Sequence, residues 1–194
     1  MSGGAAEQAG GPALRELAFR RFDEIVLGEI ERARPRIRAL RRRYPDAGEK
    51  ALATHLVHAK KAYAGTGGAV SGLFGLVALP ADLLLVTYLQ IALIVEIGLV
   101  HRANLKSRRG QQEILEILGR GNGVGPLYRS GTPVLARIAT RLMARKGIPL
   151  LGRAVPFVAA PVSAWLNNRD IERVGQEAMR HYGMVRRLRE KRRP

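Results

Sequence analysis

The feature that most constrains the fold of this chain is an almost uncharged stretch from Gly67 to Val100, which lies between segments dense in Lys and Arg. Only Asp82 and Glu96 carry a charge within it. Pro80 disrupts a continuous helix, and Asp82 can cap a new one. The stretch therefore predicts two short helices that meet at Pro80 and together form a central hydrophobic helical hairpin.

Neither arm of this hairpin is long enough to cross a bilayer alone. The arm 68–79 would cover about 18 Å and the uncharged run 83–95 about 20 Å, whereas the hydrocarbon core is about 30 Å thick. Basic residues flank both ends of the stretch, so the positive-inside bias places both ends on the same side of a membrane. Two interpretations stay open: a hairpin buried in a globular core, or one that enters or lies on the cytoplasmic leaflet.

Two further helices are predicted before the hairpin. Apolar residues recur at three- and four-residue spacing from Pro12 onward, in a helix expected to weaken near Arg34 because a proline follows it. Asp46 and Glu49 predict a capping box that opens the second helix, and the glycines at 65–68 are expected to end it. Its predicted buried face is Leu52, Leu56, Ala59 and Tyr63.

The chain after the hairpin is also predicted to be helical. A short helix should carry the apolar residues of 114–118, followed by an irregular glycine-rich loop at 119–125. Thr132 and the proline after it predict another helix start. A second apolar stretch, 148–166, contains three prolines and should not be one unbroken helix, whereas 168–188 has an amphipathic pattern. No strand alternation occurs, which predicts an all-α fold.

The length and composition are those of one ordered domain. The chain has 194 residues, of which 46% are hydrophobic and 25% charged. We predict a single helical domain over 13–185, with a disordered tail at 1–12 and a basic tail at 186–194. The N-terminus lacks the basic and apolar regions of a secretory signal peptide, which predicts a cytosolic start. Without cysteine, no disulfide framework, Cys-based zinc site or Cys nucleophile is available.

The net charge of +17 predicts attraction to polyanions, either an anionic membrane surface or nucleic acid. Few aromatic residues lie near the basic segments, so the stacking platforms of a single-strand binder are absent, while binding to a duplex backbone needs only charge. The alternative is a solvated charged face. The predicted polyanion contacts are Arg36, Arg38, Arg41, Arg42, Arg43, Arg186, Arg187 and Arg189.

Other candidate sites are weak. His55 and His58 could share a helix face as metal ligands do, but a third ligand is missing nearby. The 119–125 loop lacks the Lys-Ser/Thr pair of a phosphate-binding loop. Asp82 and Glu96 would lie about 21 Å apart on one helix, so we expect capping for the first and an arginine partner for the second. No catalytic residue, metal, cofactor or small-molecule substrate is predicted.

Three segments together resemble the EcsC family of bacterial proteins: TGGAVSGLFG at 66–75, LPADLLLVTYLQIALIVEIG at 79–98 and IPLLGRAVPFVAAPVSAWLNNRDIERVGQEAMRHY at 148–182. The positions that carry the resemblance are Gly68, Gly72, Pro80, Asp82, Pro149, Gly152, Asn167, Gly175 and Ala178. The chain departs from the family at Val100-His101-Arg102, where the family tends to have an aromatic-Gly pair. The resemblance covers about 45–185. The family is named for a protein encoded beside an ABC transporter, and the resemblance implies a membrane-related role, with no agreed activity or catalytic residues.

These features predict a non-enzymatic helical protein. We expect it to be cytoplasmic and peripherally associated with the inner face of the cell membrane, as an accessory or regulator of a membrane transport or secretion system. The alternative hypothesis is a basic nucleic-acid-associated protein. The sequence does not indicate a specific protein partner.

Overall fold

The structure, a computed structural model, describes the backbone of 4–73, 79–123 and 156–191 and the side chains of Arg20 and of 22–63, 85–123 and 168–188. These ranges contain five helices and no strand. The helices are α1 (Gly4–Arg43), α2 (Glu49–Leu73), α3 (Leu79–Val100), α4 (Arg108–Gly121) and α5 (Pro156–Lys191). The predicted all-α class is therefore confirmed.

Helix α3 lies at the centre of the molecule. It contacts α1, α2, α4 and α5, and every residue from 89 to 98 is buried. Because α3 is apolar around most of its circumference, each of its sides can pack against a different neighbour. Pro80 lies in its first turn, where a missing N–H breaks no helical hydrogen bond. Helices α2 and α3 form the central hydrophobic hairpin, but its first arm is the end of the long helix α2 and not a separate short helix. Within the described ranges, no helix combines the length and apolar character needed to cross a membrane.

Helix α1 packs on α3 through one apolar stripe. Phe22, Val26, Ile30, Ala33 and Ile37 are all buried along it, at the spacing of one helical face. The remaining faces of α1 are mostly charged and exposed, including nearly all of 34–39. The predicted amphipathic helix is therefore confirmed.

The expected weakening of this helix near Arg34 is wrong, because α1 continues through Pro35 to Arg43. Arg34, Pro35 and Arg36 all lie on the exposed side of the helix. Proline lacks the N–H that would bond to the Glu31 carbonyl. This carbonyl lies on the solvent-exposed side of the helix and can bond to water instead. Helix α1 also begins at Gly4, inside the segment 1–12 that the sequence predicted to be a tail.

Helix α2 differs from its prediction at both ends. It begins at Glu49, and the first helical bond joins the Leu52 N–H to the Gly48 carbonyl, so Asp46 stands too early to form a capping box. It also continues past the glycines of 65–68 to Leu73, since each glycine costs a helix about 1 kcal/mol without forbidding it. Among its described side chains, at 49–63, Leu52, Ala53 and Val57 are buried. The predicted Leu56 is half-buried, whereas the predicted Ala59 and Tyr63 are exposed.

Helix α4 extends through part of the segment predicted as a glycine-rich loop. It begins at the Ser107 cap, whose hydroxyl accepts from the Gly110 N–H at 3.1 Å, and ends at Gly121. A Cβ on Gly121 would lie 2.6 Å from Cγ2 of Val174 and 2.8 Å from its Cα. The glycine therefore lets the backbones of α4 and α5 approach closely, and this packing keeps the segment helical.

Helix α5 includes Pro161, so the expectation that prolines interrupt 148–166 is wrong for the part from Pro156 onward. Pro156 occupies the first helical position, and Pro161 removes only the bond to the Phe157 carbonyl near the start of a long helix. Residues 168–188 are amphipathic as predicted, with Ile171, Val174, Ala178 and Tyr182 buried. The helix then continues to Lys191, within the segment predicted as a basic tail.

The directions of the helices bring four helix ends together. Arg41 donates from Nη2 to the Val100 carbonyl at 2.6 Å, which joins the ends of α1 and α3. Arg186 of α5 forms an ion pair with Glu49, the first residue of α2. The C-terminal ends of α1, α3 and α5 therefore lie beside the N-terminus of α2. We call this end of the bundle, formed by 38–50, 98–102 and 182–188, the basic end.

Candidate functional site

The basic end unites the two most arginine-rich segments of the sequence, which lie far apart along the chain. Arg41 from the first and Arg186 from the second both act electrostatically on His101. Burial is the main cause that lowers the pKa of this histidine; Glu49 opposes the shift, and the two arginines add to it. The proximity of the two segments depends on α1 and α5 both running parallel to α3, which no local sequence pattern indicates.

The predicted polyanion contacts divide into two groups. Three of them bind groups within the protein. Arg36 pairs with Glu29 and Glu96, Arg41 donates to the Val100 carbonyl, and Arg186 pairs with Glu49. Four others are exposed and make no ion pair with a described side chain; they are Arg38, Arg42, Arg43 and Arg187. Arg189 lies outside the described side chains. The exposed four are therefore the ones available to an external anion.

Sequence reasoning missed an apolar component of the basic end. Met184 and Leu188 are 59% and 55% exposed, and Tyr44 is also exposed beneath the Arg43 guanidinium, whose centre lies 5.7 Å from the ring. The signal was present in the sequence, because Met184 and Leu188 stand four residues apart within an arginine-rich helix and so share one face. A surface with both cations and apolar side chains is typical of a lipid–water interface.

A buried network of charged side chains fixes α1 and α2 to α3. The Glu29 carboxylate, 1% exposed, accepts hydrogen bonds from Tyr88 at 2.6 Å, from Arg32 at 3.1 Å and from Arg36. Arg36 also lies 3.0 Å from Glu96, which Lys60 of α2 approaches at 3.1 Å. The expected arginine partner of Glu96 is therefore confirmed. Both buried carboxylates of this network, Glu29 and Glu96, therefore have cationic partners, and removing one partner of such a buried pair is strongly destabilising.

A second buried polar contact fixes the end of α4. Gln90 of α3 and Asn122 exchange two side-chain hydrogen bonds, of 2.9 and 3.3 Å, and both residues are buried. The Asn122 side chain also donates to the Leu118 carbonyl at 2.8 Å, and the Asn122 backbone N–H donates to the same carbonyl at 3.1 Å. The expected cap by Asp82 is wrong, because α3 begins at Leu79 and Asp82 is its fourth residue.

His55 and His58, which the sequence predicted to share a helix face, have no third potential metal ligand near them among the described side chains. His55 packs near Tyr44, with 5.2 Å between ring centroids, and His58 is exposed. Across the described side chains, no group of three or more His, Cys, Asp or Glu residues is placed to hold a metal ion.

An open groove of about 370 Å³ lies between the end of α4 and the outer face of α5. Its charged lining consists of Arg120, Arg173, Glu177 and Arg180. The Glu177 carboxylate holds Arg120 and Arg180 at 3.3 Å each, and Arg120 also pairs with Glu116. Two of the three arginines are therefore engaged with carboxylates.

The family-motif positions that the structure describes act in helix packing. A Cβ on Gly175 would lie 2.5 Å from Cγ2 of Val57, and Ala178 is fully buried one turn later. These small residues let α5 lie close against α2 and α3. Gly68 and Gly72 are within α2, Pro80 and Asp82 within the first turn of α3, and Asn167 within α5, each described by its backbone alone. Pro149 and Gly152 lie outside the described residues.

Comparisons of the chain with protein-family models, with curated proteins and with solved structures each give no match. The resemblance to the EcsC family therefore stays a prediction that rests on the motifs quoted above.

Proposed function

We propose that this protein is a non-enzymatic, cytoplasmic protein that associates peripherally with the anionic inner face of the cell membrane, and that its basic end is the contact surface. The observation that carries the proposal is the meeting of the two arginine-rich segments at one end of the bundle. Arg38, Arg42, Arg43 and Arg187 are exposed there. A cation near an anionic lipid surface contributes about 1 kcal/mol to binding.

The internal ion pairs support this choice of surface. Glu29, Glu96 and Glu177 each hold arginines or lysines within the protein, so net charge alone is a poor guide to where an anion would bind. Arg38, Arg42, Arg43 and Arg187, which are exposed at the basic end, make no such ion pair with a described side chain. The resemblance to the EcsC family adds the proposal that the protein is an accessory or regulator of a membrane transport or secretion system.

The test is cosedimentation of the full chain with vesicles of phosphatidylglycerol and phosphatidylcholine, and with phosphatidylcholine alone, at low and high salt. The informative variant replaces Arg42, Arg43 and Arg187 with Gln. We expect about a hundredfold weaker binding to anionic vesicles, from about 1 kcal/mol at each position. Binding of wild type to phosphatidylcholine alone should be weak.

The matched control replaces Arg20, Arg169 and Arg173 with Gln, since it removes the same charge from residues distant from the basic end along α1 and α5. It should bind anionic vesicles nearly as well as wild type. Equal loss in both variants, or no vesicle binding by wild type at low salt, would refute the proposal. Duplex DNA that binds with a steep salt dependence and displaces the vesicles would instead favour a nucleic-acid-associated protein.

A further inference from the structure

The C-terminal end of α5 carries apolar side chains that the fold does not cover. Met184 and Leu188 are 59% and 55% exposed. They stand one turn apart and so present one continuous apolar strip. By contrast, Ile171, Val174, Ala178 and Tyr182, on the inner face of the same helix, are fully buried. The exposed strip is therefore a separate face and not a frayed part of the core.

The second residue of this strip, Leu188, lies past the points where α5 meets the start of α2 and the end of α3. Arg186 pairs with Glu49, which is the first residue of α2. The Tyr182 ring lies 6.5 Å from the ring of His101, just after the end of α3. Residues after Arg186 continue past both of these ends, and Lys191 lies about 7 Å further along the helix axis. Leu188 therefore lies near the outer end of the bundle, where a flat surface can contact it.

The charges around the strip favour an anionic lipid surface. Arg187 is exposed between the two apolar residues and makes no ion pair with a described side chain, whereas Arg180, one turn before Met184, is paired with Glu177. At a lipid surface, guanidinium groups contact phosphates while apolar neighbours lie in the acyl region just below. A protein groove would have to supply both an apolar floor and an acidic rim, whereas an anionic bilayer offers both over its whole area.

We infer that Met184 and Leu188 insert into the acyl region of an anionic bilayer, so that the basic end binds lipid by apolar insertion as well as by charge. This inference rests on the proposed function. It adds that binding should partly survive high salt, because burial of apolar surface is not screened by ions.

The first experiment replaces both residues with Ser in the full chain. The double variant M184S/L188S should bind vesicles of phosphatidylglycerol and phosphatidylcholine roughly tenfold to a hundredfold more weakly, and high salt should release it fully. The matched control is I25S/L27S, which alters two residues of α1 that are 41% and 40% exposed and distant from the basic end. The control should keep wild-type affinity and salt resistance.

The second experiment uses the absence of cysteine from the chain. An environment-sensitive fluorophore on L188C should shift to the blue when anionic vesicles are added, and lipids that carry a quencher in their acyl chains should quench it. The same fluorophore on L27C should respond to neither. Circular dichroism of each variant checks that the helices are retained. We expect this because the substituted positions 25, 27, 184 and 188 are all exposed.

The outcomes separate this inference from the proposed function. If wild type ignores anionic vesicles, both fail. If wild type binds, but high salt releases it fully and the probe at 188 stays in water, the insertion is wrong while the charge-based function stands. If the probe shifts without vesicles, in proportion to protein concentration, the strip contacts a second copy of the chain and the insertion is again wrong.

Discussion

The Tyr88 hydroxyl donates a 2.6 Å hydrogen bond to Oε2 of Glu29 and so joins α3 to α1. Burial would raise the pKa of the Glu29 carboxyl, but the Tyr88 hydrogen bond and the charge and hydrogen bonds of Arg36 and Arg32 together hold this pKa below its ordinary value. The carboxylate is therefore ionised in the folded protein at neutral pH, and it requires these donors because a buried charge without partners is costly.

Replacing Tyr88 with Phe should lower the free energy of unfolding by about 1–2 kcal/mol at pH 7, because the ring packing stays while a buried carboxylate loses one donor. Urea denaturation measures the change. The lowered pKa of Glu29 means that its ionised form stabilises the fold above the ordinary glutamate pKa, and that this stability is lost as the pH falls through the folded-state value. The effect of Y88F should therefore shrink in acid. Tyr44→Phe, at an exposed ring, is the control, and equal losses in both variants would contradict the role of the Tyr88 bond.

Gly175 and Gly183 stand on the same helix in opposite surroundings. A Cβ on Gly175 would lie 2.5 Å from Val57, whereas one on Gly183 would have nothing within 4 Å. Gly175→Ala should therefore destabilise the protein by about 1–3 kcal/mol through overpacking. Gly183→Ala should stabilise it by about 0.5–1 kcal/mol, because alanine favours the helix. Thermal unfolding of the two variants measures both effects, and a shift in the same direction for both would refute the packing role of Gly175.

His101 makes the stability depend on pH. Both of its ring nitrogens are buried without a hydrogen-bond partner. Burial lowers its pKa, Glu49 from α2 opposes this, and Arg186 from α5 and Arg41 from α1 lower it further. In the window between the lowered folded pKa and the ordinary value near 6.5, the unfolded chain binds more protons, so stability falls as the pH falls through that window.

Replacing His101 with Phe should flatten this dependence, since a ring can still pack against Tyr182 but no longer titrates. Urea denaturation at several values between about pH 5 and 8 provides the comparison. Stability of the variant should change less over this range than that of wild type. An unchanged slope would assign the pH dependence to other groups.

Arg102 adopts a left-handed backbone conformation with φ of 55°. Such a conformation costs a residue with a side chain about 1–2 kcal/mol, and glycine avoids that cost but loses more chain entropy on folding. Arg102→Gly should therefore stabilise the protein by about 0.5–1 kcal/mol. Arg38→Gly, within exposed helix, should destabilise it by about 1 kcal/mol. Chemical denaturation of both variants checks the prediction, and destabilisation by R102G would contradict it.

Much of the helical structure was readable from local pattern. The repeat of Phe22, Ile25, Val26 and Ile30 predicts α1 and its buried face, although Ile25 is exposed. The uniformly apolar run after Pro80 predicts a central helix. These predictions hold because helix period and burial both follow from residues only a few positions apart. The glycines at 65–68 and Gly121 were predicted to end or interrupt helices, but they lie within α2 and α4. The effect of a glycine on a helix depends on what packs against it.

The candidate site was only partly predictable for the same reason. The arginines of 36–43 and 186–187 were identified from composition, but their division into engaged and exposed groups depends on Glu29, Glu49 and Glu96, which lie on other helices. The exposure of Met184 and Leu188 likewise depends on where α2 and α3 end beside α5.

The sequence by itself determined that the chain is all-helical, strongly basic and centred on an apolar hairpin, because these properties depend on residue type and near-neighbour spacing. Only the tertiary structure decided that the ends of α1 and α5 meet, which arginines stay exposed there, and which glycines serve close helix contacts. Those properties depend on which distant surfaces touch, and a one-dimensional pattern does not specify the distance between Arg41 and Arg186 or between Gly175 and Val57.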